Sequence, residues 1–110
     1  MNSEYINDDC NEVFFVISSG ENAWKAFDLT KDLIIQKLNP KVNIDINHLI
    51  DNRLFEFEFD GVVARLEYSN WCGTELSISN EYEEVRIGQI RQLANEIVKM
   101  INQQPITNNQ

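Results

Sequence analysis

The sequence predicts an α+β fold, a two-layer sandwich in which a mostly antiparallel sheet of four to five strands carries two helices on one face, in the order β-α-β-β-β-β-α. Three observations lead there. Asp60-Gly61 is a hairpin-turn dipeptide flanked by period-two alternation from Arg53 to Tyr68. Before it, apolar residues recur at helical spacing from Ala23 to Leu38, and after it Ile87, Ile90, Ala94, Ile97 and Ile101 repeat three and four residues apart. Helical segments flanking a block of strands suit one sheet with helices on a single side.

The elements follow in chain order. Val13 to Ile17 is apolar on both alternating faces and rich in aromatic and β-branched residues, which predicts a strand buried on both sides and central in the sheet. Ser18-Ser19-Gly20-Glu21 has capping-box spacing, so a helix should follow. Its stripe is Trp24, Phe27, Ile34 and Leu38, with Ala23 and Leu33 beside it and Lys31 interrupting, and Asn39-Pro40 ends it. Val42, Ile44 and Ile46 then alternate with polar residues, a half-buried strand with one polar face, and a loop runs through His48 and Asp51.

The hairpin register can be deduced. With Phe59 facing Val62 across the turn, Phe57 faces Ala64 and Phe55 faces Leu66, while Glu58, Glu56 and Leu54 face Val63, Arg65 and Glu67 on the other side. Thr74 to Ser79 is one more strand, with Leu76 and Ile78 inward. The last helix has two possible starts: Asn80 caps it ahead of Glu81, Glu83 and Glu84, or Glu83 to Ile87 is extended and Gly88 marks the boundary. Residues 1–101 read as a single domain and residues 102–110, rich in Asn and Gln, as a flexible polar tail.

Charge narrows the function. The 110 residues hold 9 Lys+Arg against 18 Asp+Glu, a formal charge of −9, which argues against direct binding of a nucleic acid, where clustered cations must neutralise phosphates. The N-terminal stretch lacks the basic and apolar regions of a secretory signal, and the apolar runs are too short to span a bilayer, so a cytoplasmic location without membrane contact is expected. Cys10 and Cys72 match no redox or zinc spacing and read as free thiols. Abundant Asn, Ile and Lys favour a bacterial or phage source.

The candidate chemistry is sparse. His48 is the single histidine, with Asp45 and Asp51 near it in sequence; the plainer reading is a loop histidine without a special role. A pairing of His48 with Cys72 would need the fold to join them. Neither a calcium loop, a histidine pair nor a glycine-rich phosphate cradle is present, so no catalytic residue, metal or cofactor is expected. The carboxylates carry more. Glu56, Glu58, Glu67 and Glu75 should lie on the uncovered face of the sheet with Arg65 as their counter-charge, and Glu81, Glu83 and Glu84 bracket Tyr82 after the last strand. Acidic surface is also what keeps a small domain soluble and monomeric. Trp71 sits in a loop that either projects it as a binding anchor or folds it back onto the core.

An acid-rich strand face, Trp71 and the Glu81-Tyr82-Glu83-Glu84 cluster together resemble small acidic bacterial immunity proteins, including those of contact-dependent growth inhibition systems. The resemblance implies a monomeric, non-enzymatic inhibitor that binds a basic toxin, a nuclease, and lays carboxylates over its active site. Two other functions compete: a phage or mobile-element nucleic-acid mimic aimed at a host nucleic-acid-binding complex, and a small-ligand protein or enzyme using His48 or Cys72.

Overall fold

The computed structural model describes residues 3–7, 11–19, 23–46 and 52–103. Six strands and two helices follow one another as β1 (Ser3–Asn7), β2 (Glu12–Ser18), α1 (Ala23–Leu38), β3 (Lys41–Ile46), β4 (Asn52–Phe59), β5 (Val62–Ser69), β6 (Gly73–Ser79) and α2 (Glu84–Gln103). The strands form one antiparallel sheet in the order β1-β2-β6-β5-β4-β3, with both helices on the same face. This is the expected α+β class, but with six strands rather than four to five. The additional strand is β1, which pairs Tyr5 with Phe14 and Ile6 with Val13 along β2. Five residues bounded by Asn and Asp carry too short an alternation to stand out as a strand before β2 supplies its ladder.

The hairpin of β4 and β5 has the deduced register throughout, from Phe59↔Val62 to Leu54↔Glu67. Asp60 and Gly61 both have positive φ, 54° and 78°, as a type I′ turn requires. The core is a single cluster: Phe15, Phe55, Phe57, Leu66, Leu76 and Ile78 from the sheet meet Phe27 and Ile34 of α1 and Ile90, Ala94 and Ile97 of α2.

Several local expectations are corrected. In α1 the buried residues are Ala23, Ala26, Phe27, Thr30 and Ile34. Small alanines let the helix approach the sheet closely, and Trp24 falls to its flank, 39% exposed, beneath the Arg53 guanidinium at 5.8 Å. The capping-box residues Gly20 and Glu21 lie outside the described residues. Asn39, at φ 46°, closes the helix with a backbone bond to the Ile35 carbonyl, and Pro40 follows.

In β3 a bulge at Asn43 breaks the alternation: Val42 stands opposite Phe57 on the helix side, but Ile44 and Ile46 stand opposite Glu56 and Leu54 on the other. β2 is interior but not buried on both sides, since Val13, Phe15 and Ile17 are buried while Phe14 and Val16 are only half-buried. Neither expected start of α2 holds as written. Asn80 to Tyr82 form a turn, the first helical bond runs from Ile87 N–H to the Glu83 carbonyl, and Gly88 lies inside the helix. The helix continues to Gln103, two residues past the expected end of the domain body. Among the described residues no helix is long and apolar enough to cross a membrane.

Candidate functional site

The ladder registers place the side chains of the open sheet face in three rows. One row reads Val16, Glu75, Glu67, Leu54 and Ile46 across β2, β6, β5, β4 and β3. The middle row reads Tyr5, Phe14, Ser77, Arg65, Glu56 and Ile44, starting from β1. The third reads Glu12, Ser79, then Val63, Glu58 and Lys41. The four predicted face glutamates, Glu56, Glu58, Glu67 and Glu75, therefore do share this face. Arg65 lies among them, its Nε 3.3 Å from Glu56 Oε1, and Lys41, opposite Glu58, is a second cation that the sequence reading did not place there.

Charge is segregated between the layers. The two helices carry six basic residues and four acidic ones, while the open face carries five glutamates against Arg65 and Lys41. Three ion pairs join helix to strand or helix to helix: Lys31–Asp45 at 2.6 Å, Arg53–Asp28 at 3.3 Å and Lys37–Glu96 at 3.3 Å. Cations committed to holding the layers together leave the open face acidic.

Burial sharpens that imbalance. Glu75 is only 8% exposed and accepts a 2.5 Å hydrogen bond from the Tyr5 hydroxyl, while the Tyr5 and Phe14 rings stack at 5.1 Å. Glu75 stands directly opposite Glu67. Burial raises the Glu75 carboxyl above the usual carboxylate range, the Tyr5 bond opposes this and the Glu67 charge adds to it. Burial likewise raises Glu67, with Arg65 opposing and Glu12 contributing. Two hollows open along the face. The larger, about 570 Å³, runs past Phe14, Leu54, Glu67 and Glu75 to Cys72 at the edge of the sheet, and the smaller, about 310 Å³, holds Glu12, Arg65, Ser77, Glu81 and Tyr82.

Trp71 is 95% exposed. Its loop is braced on both sides: the Cys72 N–H donates to Ser69 Oγ at 3.0 Å, the Tyr68 hydroxyl to Asn70 Oδ1 at 3.0 Å, and Gly73 closes the turn at φ 77°. A Cβ at Gly73 would lie 2.3 Å from the Ser18 carbonyl oxygen, so only glycine lets the loop sit this close to β2. The indole projects from a held turn.

No family model matches this chain, and no curated protein or solved structure does so significantly. The site must be judged on its own geometry.

The structure does not bring all the predicted residues together. β5 and β6 run in opposite directions, so the Trp71 loop stands at one end of the sheet and Glu81, Tyr82, Glu83 and Glu84 at the other, roughly 20 Å away by the rise of a strand. Glu81 lines the smaller hollow. Tyr82 is half-buried against the core and its hydroxyl accepts from the Val63 N–H at 3.0 Å, so it supports the hairpin rather than projecting. Glu84 pairs with Arg91 on α2 at 3.1 Å. Tyr5, Glu12, Phe14, Ser77, Ile44 and Ile46 belong to the face and were not singled out from sequence. The alternation of Glu12, Phe14 and Val16 was the available signal; the bulge in β3 hid the isoleucines. His48, Asp51 and Cys10 lie outside the described residues, and Cys72 is an exposed free thiol. Among the described residues no three acidic, histidine or cysteine side chains converge as a metal site would need.

Proposed function

We propose that the protein is an immunity-type inhibitor that neutralises a basic toxin, a nuclease, by covering its active site with the open sheet face. The observation that supports this most directly is the charge segregation between the two layers, with five glutamates gathered on a face that neither α1 nor α2 covers. A nuclease cleft gathers cations to hold phosphates. Carboxylates spaced across a stiff sheet meet those cations in a fixed array, and apolar residues between them, Phe14, Leu54, Ile44 and Ile46, supply area to bury once the charges have met. Trp71 stands at one edge of this face, an aromatic on a held turn, which limits the entropy lost when it docks.

The test takes a candidate basic nuclease toxin as the partner. Association should be fast at low salt and its rate should fall by roughly tenfold or more between about 50 mM and 300 mM salt. The double substitution Glu56→Lys/Glu58→Lys should abolish protection of cells from that toxin while leaving the fold intact. A rate indifferent to salt, or protection retained by the charge-reversed chain, removes the electrostatic mechanism.

A further inference from the structure

Within that proposed contact, one position on the open face is built to receive a single side chain. On β6 the open-face residues are Glu75, Ser77 and Ser79, two of them small, while the neighbouring strands carry Phe14 on one side and Arg65 on the other. The result is a groove along the central strand. Ser77 lies at its floor, 1% exposed, and its hydroxyl has no hydrogen-bond partner; it lines the smaller hollow, which shares Glu12 and Arg65 with the larger hollow that holds Glu67 and Glu75. A buried hydroxyl left unpaired is unfavourable, and a ligand that supplies the missing partner removes that penalty.

The surroundings specify the ligand's chemistry. Glu75 and Glu67 stand side by side at one end of the groove and Glu12 flanks it, so the groove favours a cation. Arg65, the like charge on the opposite bank, pairs with Glu56 at 3.3 Å and also acts on Glu67, so one cation is shared among Glu56, Glu67 and their neighbours. Paired carboxylates next to the stacked rings of Tyr5 and Phe14 suit a planar, forked donor better than a point charge, because a guanidinium can bond both carboxylates and lie against a ring face. We infer that the groove over Ser77 is the seat of an arginine side chain of the partner protein, its guanidinium held by Glu75 and Glu67 and hydrogen-bonded to the Ser77 hydroxyl. Burial raises the Glu67 and Glu75 carboxyls, and an arriving cation would favour their ionised forms.

The inference rests on the proposed function for its partner but is tested without it. The purified full chain is titrated with N-acetyl-L-arginine methylamide while backbone amide resonances are followed, with the matching citrulline and lysine derivatives as neutral and point-charge comparators. Saturable shifts centred on Glu67, Glu75 and Ser77 are expected, with citrulline at least about tenfold weaker and lysine several-fold weaker. Ser77→Ala should keep the native spectrum, because the deleted hydroxyl has no partner to lose, and should weaken arginine about threefold or more. Shifts spread over Asp60, Glu83 and Glu84 as well, lysine or citrulline binding as tightly as arginine, or unchanged affinity in Ser77→Ala would overturn it. Toxin binding without a localised arginine response would refute the groove alone. A localised response without toxin binding would refute the proposed function alone.

Discussion

On the helix side of the sheet, Phe15, Phe55, Phe57, Leu66 and Leu76 are each fully buried against α1 and α2, while the same strands turn Phe14, Glu56, Arg65, Glu67, Glu75 and Ser77 to the other side. The first face is mainly apolar, its few polar groups being Thr74, bonded to the Ala23 carbonyl, the unpaired Thr30 hydroxyl, and Lys31 and Arg91 over the Phe55 and Phe15 rings. The second mixes aromatic rings, like-charged carboxylates and an unpaired hydroxyl, an arrangement that adds little to folding. The helix side holds the chain together, and the open side carries the groups that the proposed partner would satisfy. Side chains kept where they do not help the fold are evidence of another use.

The sharpest way to break this comparison is to substitute on both faces of one strand. Phe57 is fully buried between Phe55 and Phe59, so Phe57→Ala should destabilise by about 3–5 kcal/mol, a large share of the roughly 5–15 kcal/mol available to a domain. Its neighbour Glu56 faces the open side with an exposed partner, and Glu56→Ala should change stability by less than about 1 kcal/mol. Denaturant unfolding of both variants measures the contrast. Equal losses would mean that the open face carries as much of the fold as the core does.

Next in size is the rim. Trp71 touches little of its own molecule, so Trp71→Ala should leave the unfolding midpoint within about 0.5 kcal/mol of the parent chain. Binding to the basic partner should weaken by about 2 kcal/mol or more, chiefly through faster dissociation, as expected for an aromatic anchor. Stability and binding assays on the same sample separate the two roles, and a variant that unfolds more easily yet binds normally would make Trp71 a structural residue.

Legibility in the sequence followed the same division. The helix side was readable because period two in β4 and β5 and the three-four spacing of α2 each report one uniform apolar face, and Asp60-Gly61 sets the register between the strands. The open face was read only through its glutamates. Its apolar members escaped because mixed alternation such as Glu12, Phe14 and Val16 looks like a strand buried twice, and because the bulge at Asn43 moves Ile44 and Ile46 to the side opposite Val42. Ser77 carries no signal in a linear sequence: its meaning comes from Phe14 and Arg65, which only the ladder places on either side of it. The separation of Trp71 from Glu81, Tyr82, Glu83 and Glu84 follows from the direction of β6, and sequence proximity suggested the opposite.

The smallest expected effect is the most specific to the open face. A carboxyl whose folded-state pKa is raised holds its proton more tightly in the folded chain than in the unfolded one, so acidification stabilises the fold through Glu67 and Glu75. Their penalty is present in full at neutral pH, shrinks as pH falls through the raised folded values, and is gone below the ordinary carboxylate range near about pH 4. Glu67→Gln removes one member of the opposed pair while leaving the Tyr5 bond to Glu75 in place. It should therefore stabilise the chain at pH 7 by about 0.2–1 kcal/mol, the range for like charges facing each other across a ladder, and the gain should vanish below about pH 4. Thermal unfolding of both chains as a function of pH measures this directly. A variant less stable than its parent at pH 7 would mean that the attraction of Arg65 outweighs burial and repulsion, and the open face would then be a satisfied surface. If the gain appears and the same substitution weakens the basic partner, folding and binding are in opposition at one residue, as expected of a carboxylate held in place for a counter-ion that the chain itself does not provide.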